Sequence, residues 1–198
     1  MKKTIFLPLL TIAAAAAVLL GASFALRDTA EAKAQAEHLR IMQTILPGSS
    51  AFTVEPYAGD DANIRSVHKA ENGFVIETVT RGYADDITMF VGVNNDGKVT
   101  GLVVYEAHET FGLGNEALTD HVFLSQFLNS NGTFAVATGG ADAFSGATGE
   151  TEVSGDTVDV DGITGATVTS KAIVRCVNSA ISYVTGADTS SGATSWGG

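Results

Sequence analysis

ITMFVGVNNDGKVTGLVVY, residues 87–105, decides the fold class. Two apolar runs, Ile87–Val93 and Val99–Tyr105, flank Asn94-Asn95-Asp96-Gly97, and that turn chemistry makes them a hairpin. Upstream, Ile64–Ala70 and Phe74–Val79 flank a second turn signal, Glu71-Asn72-Gly73. Four strands joined by short turns predict an antiparallel sheet. Helical periodicity lies on either side of it. Residues 28–46 carry an apolar stripe of Leu39, Met42, Ile45 and Leu46, stopped by Pro47-Gly48. Asn115–Asn129 reads as one helix with Leu118, Val122, Phe123, Phe127 and Leu128 along one side. In Ser170–Val184 the residues Ile173, Val174, Val177, Ala180, Ile181 and Val184 share a face. Thr169 or Ser170 is the expected N-cap there, with Lys171 and Arg175 on the polar side. A sheet flanked by helices is an α+β domain.

Ahead of the domain, IFLPLLTIAAAAAVLLGASFAL (5–26) holds no charge. As a helix it reaches about 33 Å, the thickness of a bilayer's hydrocarbon core. Lys2 and Lys3 precede it, which leaves the N-terminus in the cytoplasm and everything after Arg27 outside. The expected reading is a retained single-pass anchor. A cleaved signal peptide competes, because Ser23-Phe24-Ala25 is an acceptable cleavage site. The predicted organisation is a cytoplasmic stub (1–4), a transmembrane anchor (5–26), a linker helix (27–47), an exported domain (48–187) and a disordered tail (188–198). Residues 137–157, rich in Gly, Ala, Ser and Thr, read as a mobile loop.

The formal charge is −11 over 198 residues, and residues 28–198 hold eight basic against 22 acidic side chains, a net of −14. Such a surface repels nucleic acid. The lone cysteine, Cys176, excludes an internal disulfide and a cysteine-ligated zinc or iron–sulfur site within the chain. It is expected as a small apolar residue on a helix.

Asp-x-x-(Ser/Thr)-Gly-Ala-Thr occurs three times, ending at Thr148, Thr167 and Thr194. Only the copy at 161–167 is followed by an apolar helix. A helix N-terminus offers unpaired N–H groups and a positive dipole end, so it favours a phosphate. Gly165 and Ala166 leave room for a bulky ligand, and Thr167 adds a hydroxyl that a phosphate ester could use. Its hydroxyl is a weak nucleophile, so esterification would need a separate transferase. A plain helix-entry loop explains the same residues, and the copies at Thr148 and Thr194 read as accidents of composition.

DGITGATVTSKAIVRCVNSA (161–180) resembles the flavinylation segment of the FMN-binding subunits of ion-pumping redox complexes. These are the G subunit of the Rnf complex and the C subunit of Na⁺-translocating NADH:quinone reductase. The N-terminal anchor, RGYADDITMFVGVNNDGKVTGLVVYEAHETFGLG (81–114) and the closing Val-Asn-x-Ala helix follow the family's order. The resemblance implies one covalent FMN per chain, held by a phosphoester to Thr167 and attached by a flavin transferase that consumes FAD. It places Asp161, Thr164, Gly165, Ala166 and Thr169 about the attachment, and Glu109, Thr110, Leu113 and Gly114 against the isoalloxazine. Phe111 stands where the family writes proline, so that loop is expected to be less restrained.

By the same resemblance the chain is an electron relay in the cell (inner) membrane, its C-terminal domain extracytoplasmic. Its partners are the other membrane and peripheral subunits of a complex that moves electrons between reduced ferredoxin and NAD⁺ while pumping Na⁺ or H⁺. It would not be a complete enzyme alone. Length favours the Rnf type over the quinone-reductase type. Two alternatives stay open: a free-standing exported flavoprotein, and a flavin-free adhesive or scaffolding domain. Tyr57, Tyr83, Tyr105, Phe111 and Trp196 could stack on a flavin, although core or surface roles are the ordinary expectation. Glu106, His108, Glu109, Asp120 and His121 straddle a glycine loop without compact ligand spacing, so no metal site is expected. His38 and His68 are expected in solvent.

Overall fold

A computed structural model describes residues 15–18, 21, 31–110, 114–137 and 157–186. The chain divides into two compact units, Met1–Ile41 and Met42–Gly198. Residues 15–18, 21 and 31–45 are helical, the last range forming α1. Among the described residues no helix is long and apolar enough to cross a membrane, and most of the anchor expected at 5–26 lies outside them.

In the second unit, five strands follow one another in sequence order, every neighbouring pair antiparallel: β1 (Thr53–Glu55), β2 (Ile64–Ala70), β3 (Gly73–Arg81), β4 (Asp86–Asn94) and β5 (Val99–Glu106). The β4–β5 turn works as its residues predict. Asn94 Oδ1 accepts from the N–H groups of Asp96 (3.0 Å) and Lys98 (2.8 Å), while Gly97 takes the left-handed φ of 79° that a side chain resists. Strand β1 adds a fifth member to the expected four; it is too short to show an alternation in the sequence.

Strand β4 is buried on both faces, which is why it reads as an unbroken apolar run. Helix α4 (Thr167–Thr185) packs across β3 and β4 on one side. On the other, the end of α1 lies directly on the sheet. A Cβ on Gly92 would meet the Ile45 carbonyl oxygen at 2.5 Å, one on Gly101 would meet Ile45 Cα at 2.8 Å, and Thr100 Oγ1 donates to the same oxygen at 2.6 Å. Met42, Ile45 and Leu46 are buried, whereas Leu39 is exposed and drops out of the predicted stripe.

The single helix expected at 115–129 is two: α2 (Gly114–Thr119) and α3 (His121–Ser125). Asp120 breaks it, its carboxylate accepting from Val122 N (2.8 Å) and Phe123 N (3.0 Å) as the N-cap of α3. The new register turns Val122 to solvent at 77% exposure and leaves Leu128 exposed. Phe123, Phe127 and Phe134 stay buried in an edge-to-face series, with centroids 5.4 and 4.9 Å apart. Two further strands, β6 (Thr133–Ala137) and β7 (Thr157–Asp161), pair in parallel from Thr133↔Thr157 to Ala137↔Asp161. They flank the stretch read as a loop, sharing with it only residues 137 and 157; residues 138–156 between them, and the tail, lie outside the described residues.

Asn178 joins this pair to α4. Its Oδ1 accepts from Phe134 N–H and its Nδ2 donates to Phe134 O, both at 2.9 Å. The amide thus satisfies the edge of β6 that β7 leaves open, as a neighbouring strand would. Thr80 Oγ1, buried in β3, donates to Ala172 O at 3.0 Å and seats α4 on the sheet.

Candidate functional site

Strand β7 delivers the chain to the motif. Both backbone polar groups of Asp161 are held by Gln126: its N–H donates to Oε1 at 2.8 Å and its carbonyl accepts from Nε2 at 3.2 Å. Gly162 is required by crowding, since a Cβ there would meet Val136 Cγ1 at 2.6 Å. Ile163–Ala166 is then a tight turn. Ala166 N donates to Ile163 O at 2.9 Å, and Gly165 at the third position has φ 81°, the conformation that type II turns reserve for glycine. Thr164 is exposed at the second position. Ile163 N–H donates to the buried Ser170 Oγ at 3.2 Å, pinning the turn to the helix that follows.

Helix α4 starts at Thr167, three residues earlier than its apolar face suggests, and its N-cap is Ala166, which makes no side-chain cap. The expected caps are used otherwise: Ser170 holds the turn, and Thr169 Oγ1 donates to Glu109 Oε2 at 3.1 Å. Ala166 is buried and gives α4 no side-chain cap, which leaves the first amides of the helix without a side-chain partner from that residue, and Thr167 at the first helical position is exposed.

Glu109 comes from the loop after β5, and its Oε1 accepts from Ala84 N in the β3–β4 turn at 3.3 Å. A Cβ on Gly114 would meet Glu109 Oε2 at 2.5 Å and Thr169 Oγ1 at 2.8 Å. The fold therefore brings Glu109, Gly114 and Thr169 together, beside the contiguous set Asp161, Thr164, Gly165, Ala166 and Thr167. Thr110 is exposed, and its carbonyl accepts from Asn115 N at 3.1 Å. Leu113 and Phe111, Thr148 and Thr194, and Trp196 lie outside the described residues.

Charged side chains of the β3–β4 turn and of α4 are paired among themselves. Arg81 pairs with Asp85 and Asp86 at 3.3 and 3.5 Å, Arg175 donates to Arg81 O at 2.9 Å, and His108 Nδ1 lies 3.8 Å from Asp85. Among the described residues no three His, Cys, Asp or Glu side chains gather as a metal site requires. Tyr57 and Tyr105 are engaged with Tyr183 and Phe90, whereas Tyr83 is 69% exposed in the turn that also supplies Ala84 N–H. His68 is half-buried against Ser66 Oγ and His38 is half-buried, neither standing free in solvent. Gln126 and Asn178 fix the site's frame and are absent from the residues that the sequence singles out. Asn178 has a trace in the Val-Asn-x-Ala string; Gln126 has none.

A family model described as the FMN-binding domain matches residues 82–182. The chain is 30% identical over 193 residues to the G subunit of the ion-translocating oxidoreductase complex of Methanosarcina acetivorans, covering 91% of this chain and 93% of that one. It is 32% identical over 112 residues to the G subunit of the proton-translocating ferredoxin:NAD(+) oxidoreductase complex of Clostridium ljungdahlii; the match takes in 57% of this chain and 53%, about half, of that relative. The crystal structure of Shewanella oneidensis NqrC matches 68% of this chain and 70% of its own, with 21% identity and a TM-score of 0.45.

Proposed function

We propose that this chain, which belongs to the FMN-binding domain family, carries one FMN esterified to Thr167 and serves as an electron relay. One observation carries the reading. Thr167 stands exposed at the first position of a 19-residue helix whose end has no side-chain cap, behind a turn whose left-handed Gly165 keeps side-chain bulk away. Those residues fit a phosphate ester. The first amides of α4 and its positive dipole end favour the anionic group, and the hydroxyl supplies the ester oxygen. In the proposed maturation a flavin transferase would esterify Thr167 Oγ from FAD: the new oxygen–phosphorus bond would form as the pyrophosphate bond of FAD breaks, AMP would leave, and the hydroxyl proton would pass to a base of the transferase. FMN, when bound, supplies the reversible redox chemistry that the polypeptide lacks.

The chain's own residues hold and place. Gln126 holds Asp161 and Ser170 holds Ile163, Thr169 is buried on the inner side of the helix, and Tyr83 presents an exposed aromatic face in the turn that Glu109 joins to Thr169. The names of the relatives support an Rnf-type complex, with other membrane and peripheral subunits as partners and the flavin transferase as a partner in maturation. In that setting residues 5–26 anchor the chain, 27–47 link, and 48–187 form the FMN domain on the extracytoplasmic side. Peptide mass spectrometry of the chain from its native membrane tests the reading: the 161–171 peptide should bear FMN at Thr167, and Thr167→Val should abolish covalent flavin fluorescence after denaturation. An unmodified peptide from working protein refutes it.

A further inference from the structure

We propose that Glu109 is a positioning residue: it stands in for the side-chain cap that α4 lacks and, through Thr169, fixes the turn of helix that carries Thr167, without touching the flavin. This rests on the reading that Thr167 bears FMN. Both carboxylate oxygens are already committed, Oε1 to Ala84 N–H at 3.3 Å and Oε2 to the Thr169 hydroxyl at 3.1 Å. One side chain thus ties three segments that are distant in sequence: the β3–β4 turn, the loop after β5 and the start of α4. Glycines make room for it. A Cβ on Gly114 would crowd both ends of the Glu109–Thr169 bond, at 2.5 Å from Oε2 and 2.8 Å from Oγ1, and one on Gly82 would strike Oε1.

The consequence for Thr167 is rotational. Residues two apart on a helix point about 200° from each other, so holding Thr169 inward at 1% exposure turns Thr167 outward. A helix end fixed only by its backbone frays, and fraying of this first turn would swing whatever Thr167 carries. A carboxylate is also the charge that the positive end of a helix favours.

The test uses the full-length chain matured with its flavin transferase, reading flavin fluorescence anisotropy beside intact mass. Glu109→Ala and Thr169→Val should each lose about half of the steady-state anisotropy, as a restrained group gains nanosecond motion. The double variant should fall no further than the lower single, the mark of one shared bond. Thr169→Ser, which keeps the hydroxyl, should hold the wild-type value, and Gly114→Ala, which leaves both partners intact but wedges them apart, should fall with the singles. Wild-type anisotropy in a flavinylated Thr169→Val chain overturns the proposal, even where Glu109→Ala fails to fold. So does a fall in Glu109→Ala that Thr169→Val does not share, since Glu109 would then act on the flavin directly. Absence of flavin from Thr167 in the wild type would instead defeat the underlying reading.

Discussion

Replacing Asn178 by alanine strips Phe134 of two partners at once, because the Asn178 amide both accepts from its N–H and donates to its carbonyl at 2.9 Å. Phe134 is fully buried. Each orphaned group costs about 1–3 kcal/mol, so the loss should be about 2–6 kcal/mol. For a domain of this size a kcal/mol moves Tm by about 2–4 °C, which puts the expected fall at about 4–24 °C. Thermal unfolding of the full-length protein, followed by circular dichroism, measures it. Asn178→Asp sharpens the argument. Its carboxylate can still accept from Phe134 N–H but cannot donate, and burial raises its pKa in the folded state. A raised folded pKa means stability is greatest with the group protonated and declines as pH rises from about 4. Asn178→Asp should therefore regain stability on acidification relative to the wild type. An alanine variant melting within about 2 °C of wild type would refute the assignment of this amide as the closure of β6.

Gly92→Ala should cost about 1–3 kcal/mol in denaturant unfolding, because its Cβ would meet the Ile45 carbonyl oxygen at 2.5 Å and neither backbone can yield cheaply. Gly186→Ala, in open space but at φ 68°, should cost about 1 kcal/mol, from backbone strain alone. Burial pushes the Cys176 thiol above its ordinary pKa, so thiol reagents should leave the folded chain unlabelled at pH 8 and react promptly in denaturant. Desolvation, and then the hydrogen bond to Glu55 at 3.1 Å, raise the Tyr183 phenol. That contribution is complete below the unfolded value of about 10 and is lost as pH rises through the folded one. The Tm advantage of wild type over Tyr183→Phe should accordingly shrink above about pH 10, and a constant difference would count against it.

The sheet was legible because its signals are local: Asn94–Gly97 and Glu71–Gly73 dictate turns whose flanks can only pair with each other. Strands β6 and β7 were not, since their partnership is parallel and spans residues far apart in sequence. Asp120 shows a different limit. An unbroken apolar spacing hid a side chain that prefers to cap a new helix rather than continue an old one. At the candidate site, the position of Thr167 ahead of an amphipathic run could be read directly, as could the need for glycine at 165. The fate of Thr169 could not. Any threonine at such a place looks like an N-cap until the fold delivers a carboxylate from 60 residues away.

The outward set of Thr167 has a bearing on chronology. Thr169, Ser170, Ala172 and Ile173, which hold α4 in place, are sealed inside, whereas Thr167 at the start of the same helix is exposed. Nothing that fixes the helix has to be undone for Thr167 to react. On the proposed attachment, maturation can come last: the polypeptide would reach its final shape first, and its pigment would be fitted to a finished body, without a second round of folding.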